Sequence, residues 1–169
     1  MLYTYVLARV RYWAKQAEID EDALLQRLLK TGDKERLAAS KKQANELSKA
    51  EKRKAEVDRL FAKMYEDWAA GRITEYNFNM LSQKYQTEQQ ALTEQIVALQ
   101  AQLTAQEQTT ADAEKWVKLI RQYTDPTELT AELLNTLIEK ILIHETVKQP
   151  DGTREQEVEI FYRFVGKID

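Results

Sequence analysis

The sequence predicts a mainly α protein: a long antiparallel helical hairpin, a coiled coil, projecting from a small α+β base of short helices and a C-terminal β-hairpin. Three observations carry this. The 169 residues hold only 4 Gly and 2 Pro, too few chain breakers for a sandwich, a barrel or a collagen-like chain. Heptad series run from Leu47 to Trp68, apolar except at Lys54, and again from Phe78 to Leu99. Near the C-terminus, Val158, Ile160, Tyr162 and Phe164 alternate with Glu157, Glu159 and Arg163, the pattern of a half-buried strand.

The base opens with Leu2, Val6, Val10 and Trp13, with Leu7 and Ala17 nearby, an amphipathic helix over about residues 2–17. Asp20 is placed to cap a second helix whose first turn, Glu21-Asp22, suits the positive end of the helix dipole. Leu24, Leu25, Leu28 and Leu29 form its stripe. Thr31-Gly32-Asp33 follows, with Gly32 the expected stop.

From Lys34 to Ala70 no Gly or Pro interrupts the chain. Leu47, Lys54, Phe61 and Trp68 fall every seven residues, and Ala50, Val57 and Met64 fall three later: an a/d seam with one polar a position. Before Leu47 the seam is thin, and Leu37 and Ala44 are expected to carry it. Gly71-Arg72-Ile73 breaks the pattern and Thr74 caps the next helix. Phe78, Tyr85, Leu92 and Leu99 repeat by seven, with Leu81, Ile96 and Leu103 as companions, so this helix runs from about 75 to at least 105. Two heptad helices joined by so short a turn fold back antiparallel. About 35 residues per arm gives roughly 50 Å at 1.5 Å per residue. Residues 30–63 hold eleven Lys or Arg against six acids, and residues 75–114 hold six acids against Lys84 alone. Opposite charge disfavours pairing of like arms.

Trp116, Val117, Leu119, Ile120 and Tyr123 make a compact apolar helical stretch, ended by Asp125-Pro126. Leu129, Leu133, Leu134, Leu137 and Ile138 stripe a short helix. Lys140 to His144 reads as a strand, and Gln149-Pro150-Asp151-Gly152 as the turn to its partner. An isolated hairpin is marginal in water, so residues 1–32 and 111–169 form the base, and 33–110 the arm, with its tip near 71–73.

Composition excludes much chemistry. Without Cys there is no disulfide, thiol nucleophile or thiolate zinc site, and one His removes a His-pair metal site. No Gly-rich phosphate loop exists. His144, between Ile143 and Glu145, reads as structural. Glu21-Asp22 and Glu66-Asp67 read as a cap and a solvated turn, since adjacent acids do not share a helix face. No metal or other cofactor is expected. The net charge of -3 and pI near 5.4 argue against a general polyanion binder. No apolar run approaches a membrane span, and MLYTYVLARVRYW lacks the basic start and cleavage site of a signal peptide. The expected compartment is the cytoplasm.

Two groups remain as candidate sites. Met64, Tyr65, Trp68, Arg72, Ile73, Tyr76 and Phe78 cluster at the tip. They read equally as packing that closes the hairpin and as a contact surface, aromatics being enriched in hot spots. Lys140, Lys148, Arg154, Arg163 and Lys167 are placed on a compact base to contact a DNA backbone. Lys49, Lys52, Arg53 and Lys54 read as a solvated face balanced by the acidic arm.

Tyr65-Glu66-Asp67-Trp68, Gly71-Arg72-Ile73-Thr74, Phe78, Leu81-Ser82, Tyr85 and Glu88-Gln89 resemble the coiled-coil segment of transposon-encoded large serine recombinases. The C-terminal stretch is similar to that family too: Leu133, Leu137-Ile138, Lys140-Ile141, Ile143-His144, Val158-Glu159-Ile160, Tyr162, Phe164 and Gly166. The resemblance covers roughly residues 1–169, as the region after the zinc ribbon. It implies a parent that cuts and rejoins DNA with a catalytic serine. In that family the coiled coil mediates contacts between DNA-bound subunits and controls synapsis and direction. This chain carries neither the catalytic domain nor zinc-ribbon cysteines. The expectation is therefore a non-catalytic fragment or truncated reading frame. It would pair with a second copy through the coiled coil and work on DNA within the parent, with no membrane or small-molecule partner. The alternative is a free-standing coiled-coil adaptor with no DNA role; a catalytic role comes third.

Overall fold

The computed structural model describes residues 2–148 and 154–168. The protein is mainly helical, with a long helix pair and a small C-terminal antiparallel sheet. Two compact units divide the chain: Lys34–Gln106, and Met1–Asp33 with Glu107–Asp169.

In the second of these, α1 spans Leu2–Ile19 and α2 spans Glu21–Leu29. Val6, Val10, Trp13, Ala14 and Ala17 are buried, one stripe at helical spacing. Asp20 sits in extended backbone (φ -156°) and its Oδ1 accepts from Ala23 N at 2.9 Å, the N-cap bond expected of it. The stop differs from expectation. Lys30, not Gly32, takes the left-handed conformation (φ 55°). Lys30 N donates to Arg27 O and Thr31 N to Gln26 O, a Schellman pair that ends the helix before the glycine is reached.

Helix α4 runs unbroken over Glu75–Arg121, longer than the heptads alone require. Past Glu107 it buries Ala113, Trp116, Val117 and Ile120. Thr130 caps the short helix α5, Ala131–Leu137, its Oγ1 accepting from Leu133 N at 3.1 Å. Leu129 therefore precedes that helix, and Ile138 opens a strand instead of closing the stripe. Trp13, Trp116 and Tyr162 meet edge-on, with centroids 6.4 and 5.3 Å apart, at the centre of one apolar core.

The sheet has the order β1-β4-β5, all antiparallel, from β1 (Ile138–Ile143), β4 (Val158–Tyr162) and β5 (Gly166–Lys167). Two-residue strands β2 (Val147–Lys148) and β3 (Arg154–Glu155) pair separately. The turn expected at Gln149–Gly152 lies outside the described residues. Ile138 pairs with Tyr162, but Lys140 already pairs with Phe161. This bulge at Glu139 shifts the alternation by one residue. It lets both Ile138 and Ile141 join the core, which strict period-2 alternation forbids. Two expectations are corrected. Phe164 is not a strand residue: β4 ends at Tyr162, and Phe164 is exposed with φ 69°. His144 lies just past β1 and is exposed, tied by its backbone N to Glu157 O at 2.9 Å.

The other unit holds α3, whose full range is Asp33–Ala69, and the first part of α4. Trp68 meets Phe78, Asp58 meets Gln89 and Arg53 meets Glu88, so the helices are antiparallel. Leu47, Ala50, Lys54, Val57, Phe61 and Met64 are buried or half-buried in alternating steps of three and four. On α4 the matching series is Phe78, Ser82, Tyr85, Gln89, Leu92, Ile96, Leu99 and Leu103. The thin end of the seam is corrected. Leu37 is 71% exposed and Ala44 is exposed, while Arg36, Ser40 and Gln43 are half-buried. Carrying the heptad phase back from Leu47 gives these polar positions, and one apolar residue out of phase cannot reach the partner helix. The seam is therefore weak in places: Gln43 Oε1 and Ser82 Oγ are buried with no hydrogen-bond partner. Each such atom costs about 1–3 kcal/mol.

Candidate functional site

The hairpin tip is closed by backbone chemistry at both helix ends. Gly71 (φ 72°) donates its N–H to Trp68 O at 3.0 Å, and Arg72 N donates to Asp67 O at 2.8 Å. This is a second Schellman motif, here with glycine at the left-handed position. The Arg72 guanidinium also lies 2.8 Å from Asp67 Oδ1, so an ion pair brackets the turn. Thr74 then caps α4, its Oγ1 accepting from Asn77 N at 3.3 Å.

The tip aromatics are both packed and displayed. Trp68 and Phe78 stack with centroids 4.5 Å apart and planes 17° apart. Tyr65 leans on both, at 5.9 and 6.4 Å. Of the seven expected tip residues, Met64 is buried at a seam position, and Ile73 and Phe78 are half-buried. Tyr65, Trp68, Arg72 and Tyr76 face solvent. Tyr76 is 76% exposed, and Met80, one turn further along the same outer face, is 52% exposed. Met80 was missed because it falls outside the heptad; the four-residue step from Tyr76 is the signal that finds it.

Behind the tip lies a charged belt. Arg53 donates to both Glu88 oxygens, at 2.7 and 3.2 Å, and to Glu56 at 2.9 Å. Asp58 accepts from Gln89 at 2.6 Å and from Lys54 at 3.1 Å. These bonds hold Glu88 and Asp58 below the usual carboxylate range, through Arg53 and Gln89 respectively.

The candidate DNA-contact residues divide on the sheet. Lys140, Phe161 and Lys167 are register partners across β1, β4 and β5, with Lys140 Nζ 4.6 Å from the Phe161 ring. Lys167 Nζ lies 2.5 Å from Glu159 Oε1, and His144 Nε2 lies 2.9 Å from its other oxygen. Together they lower the Glu159 pKa, Lys167 first. Lys148 and Arg154 stand opposite each other on β2 and β3. Arg163 Nε donates to Asn135 O at 2.5 Å. Sequence reading missed Lys115, whose ammonium sits 4.2 Å over the exposed Phe164 ring. In the core, burial pushes the Tyr162 phenol up to about 12, against the opposing pull of Arg9 and Trp13.

Among the described residues no group of three or more His, Cys, Asp or Glu is placed to hold a metal ion. No helix among them is long and apolar enough to cross a membrane. Residues 102–169 match a family model described as a domain of unknown function (DUF4368). The match takes in the end of α4, α5 and the strands, and leaves the tip outside it. No curated protein and no solved structure is matched.

Proposed function

We propose that this chain is a non-catalytic module of a DNA site-specific serine recombinase acting in the cytoplasm, and that its coiled-coil tip makes contacts between subunits. The observation that carries the reading is the tip itself. Two helix-terminal motifs and an ion pair hold the turn rigid, while Tyr65 and Tyr76 stay turned to solvent. A rigid aromatic surface contacts a partner at little cost in side-chain ordering. The motif blocks that resemble those of serine recombinases suggest the kind of partner: a second copy held nearby on DNA. On the strands, Lys140 and the opposed pair Lys148 and Arg154 are exposed and can meet a phosphate backbone.

Sedimentation equilibrium across concentration tests the contact, with Tyr76→Ser beside the parent. Tyr76 makes no ring contact with the other tip aromatics, so the change leaves the hairpin closed. Reversible self-association that Tyr76→Ser abolishes is the expected result. Association indifferent to Tyr76 rejects the tip as the contact; a strict monomer confines the contact to copies that neighbouring DNA-bound domains bring together. In-frame zinc-ribbon cysteines and a recombinase domain upstream of Met1 are the expected gene context.

A further inference from the structure

The whole-chain charge of -3 hides an opposite local sign. The unit Lys34–Gln106 carries twelve Lys or Arg against ten Asp or Glu, a net of +2. Sequence reading treated the basic residues of α3 as balanced by α4. The structure shows this for only some of them. Arg53 and Lys54 are engaged with Glu88, Glu56 and Asp58. Of the three acids that α4 contributes to this unit, Glu88 is taken by Arg53 and Glu94 accepts from Gln90, leaving Glu75 at the helix start.

Lys41, Lys42, Lys49 and Lys52 stand apart from that network. All four are exposed, and none forms an ion pair with a described residue. Counted from the buried seam, they fall with Asn45 and Ser48 on the outward face of α3. The steps 41, 42, 45, 48, 49, 52 follow one side of a helix. Glu46 and Glu51 flank this stripe toward the seam and pair with none of its lysines. The stripe is about 16 Å long at 1.5 Å per residue.

We infer that this outward face of α3 binds the phosphate backbone of double-stranded DNA without reading its sequence. A duplex presents one charge per about 1.7 Å of axis, so about ten phosphate charges lie along a stripe of this length. Four solvated ammonium groups on flexible stems suit such a target, because point charges need no fixed angle. The chemistry between them argues against an anionic membrane. The only other residues on this face between the first and last lysine are Asn45 and Ser48, and the exposed Leu37, one turn before Lys41, is a single apolar side chain, too little to anchor the helix in an acyl boundary. The inference does not depend on the subunit-contact reading.

The test is anisotropy of a labelled 30-base-pair duplex of arbitrary sequence, titrated with the full chain between 25 and 200 mM KCl. Four phosphate contacts give a slope of log K on log salt of about -3.6. Lys42→Gln with Lys49→Gln should flatten the slope by about 1.8 and weaken binding at 50 mM salt by roughly a hundredfold. Arg53→Gln with Lys54→Gln removes the same formal charge from the paired belt and should leave the slope nearly unchanged. Tyr76→Ser should bind DNA as the parent does. The inference is overturned by no binding at 25 mM salt, by equal losses in the two double variants, or by tighter binding to phosphatidylserine vesicles than to the duplex.

Discussion

Two helix ends use the same hydrogen-bond motif with different residues, and this permits a signed prediction. At the tip the left-handed position is Gly71, with φ 72°; after α2 it is Lys30, with φ 55°. A left-handed residue with a Cβ costs about 1–2 kcal/mol. A Cβ added at Gly71 would meet nothing within 4 Å, so no steric contribution joins the backbone cost. Alanine also narrows the unfolded ensemble, which returns about 0.4–1 kcal/mol. Gly71→Ala should therefore destabilise the hairpin by about 1 kcal/mol. Lys30→Gly inverts the sum and should stabilise its unit by about 0.5–1 kcal/mol. Tryptophan reports on each unit separately: Trp68 lies in the hairpin unit, and Trp13 and Trp116 in the other. Urea titration of fluorotryptophan-labelled protein, followed by fluorine NMR, should show the Trp68 midpoint fall by about 0.5–1 M in Gly71→Ala. In Lys30→Gly the Trp13 and Trp116 midpoints should rise. A neutral Gly71→Ala together with a destabilising Lys30→Gly would refute the backbone argument at both ends.

Two further expectations concern pH. The folded-state pKa of Tyr162, near 12, lies above the ordinary value of 10, so its contribution is full below pH 10 and is lost as pH rises from 10 to 12. The loss is about 2–3 kcal/mol, and Tyr162→Phe should remove it; urea midpoints falling equally in both proteins would contradict this. Glu88 and Asp58 are shifted the other way, so they stabilise the hairpin above pH 4.5 and cease to as pH falls below it. Arg53→Gln should make the acid loss of the Trp68 midpoint shallower, and an unchanged acid profile would show that the belt carries no folding linkage.

How far the sequence reads the protein follows from the range of each interaction. Asp20 and Thr74 were identifiable as caps because a cap bond closes within three residues, using side-chain chemistry that is visible locally. The seam from Leu47 onward was legible because a heptad is a statement about one helix surface. Before Leu47 the same reasoning failed when apolarity was followed in place of phase, choosing Leu37 over Ser40 and Gln43. Lys30 was missed because the Schellman bonds of α2, and not residue preference, set which residue turns left-handed. The short strand β5 and the bulge at Glu139 depend on partners more than twenty residues away in one case and on a neighbouring strand in both.

The candidate sites divide in the same way. The residues themselves were all visible in the sequence: the aromatics around Gly71, the basic run on α3 and the cations of the sheet. Their state was not. Whether Tyr65 and Tyr76 pack or face water depends on where a second helix runs, since Met64 takes a seam position four residues from Trp68. Arg53 and Lys52 are adjacent in sequence, yet one is bound to Glu88 and the other faces solvent, because a helix turns successive residues by 100°. By itself, the sequence determined where most of the helices lie, the caps at Asp20 and Thr74 and the phase of the seam from Leu47 onward, all set by bonds and periodicities within a few residues. Tertiary structure alone decided which charges are neutralised and which aromatic surface is left over, because those depend on what the opposite element presents across the gap.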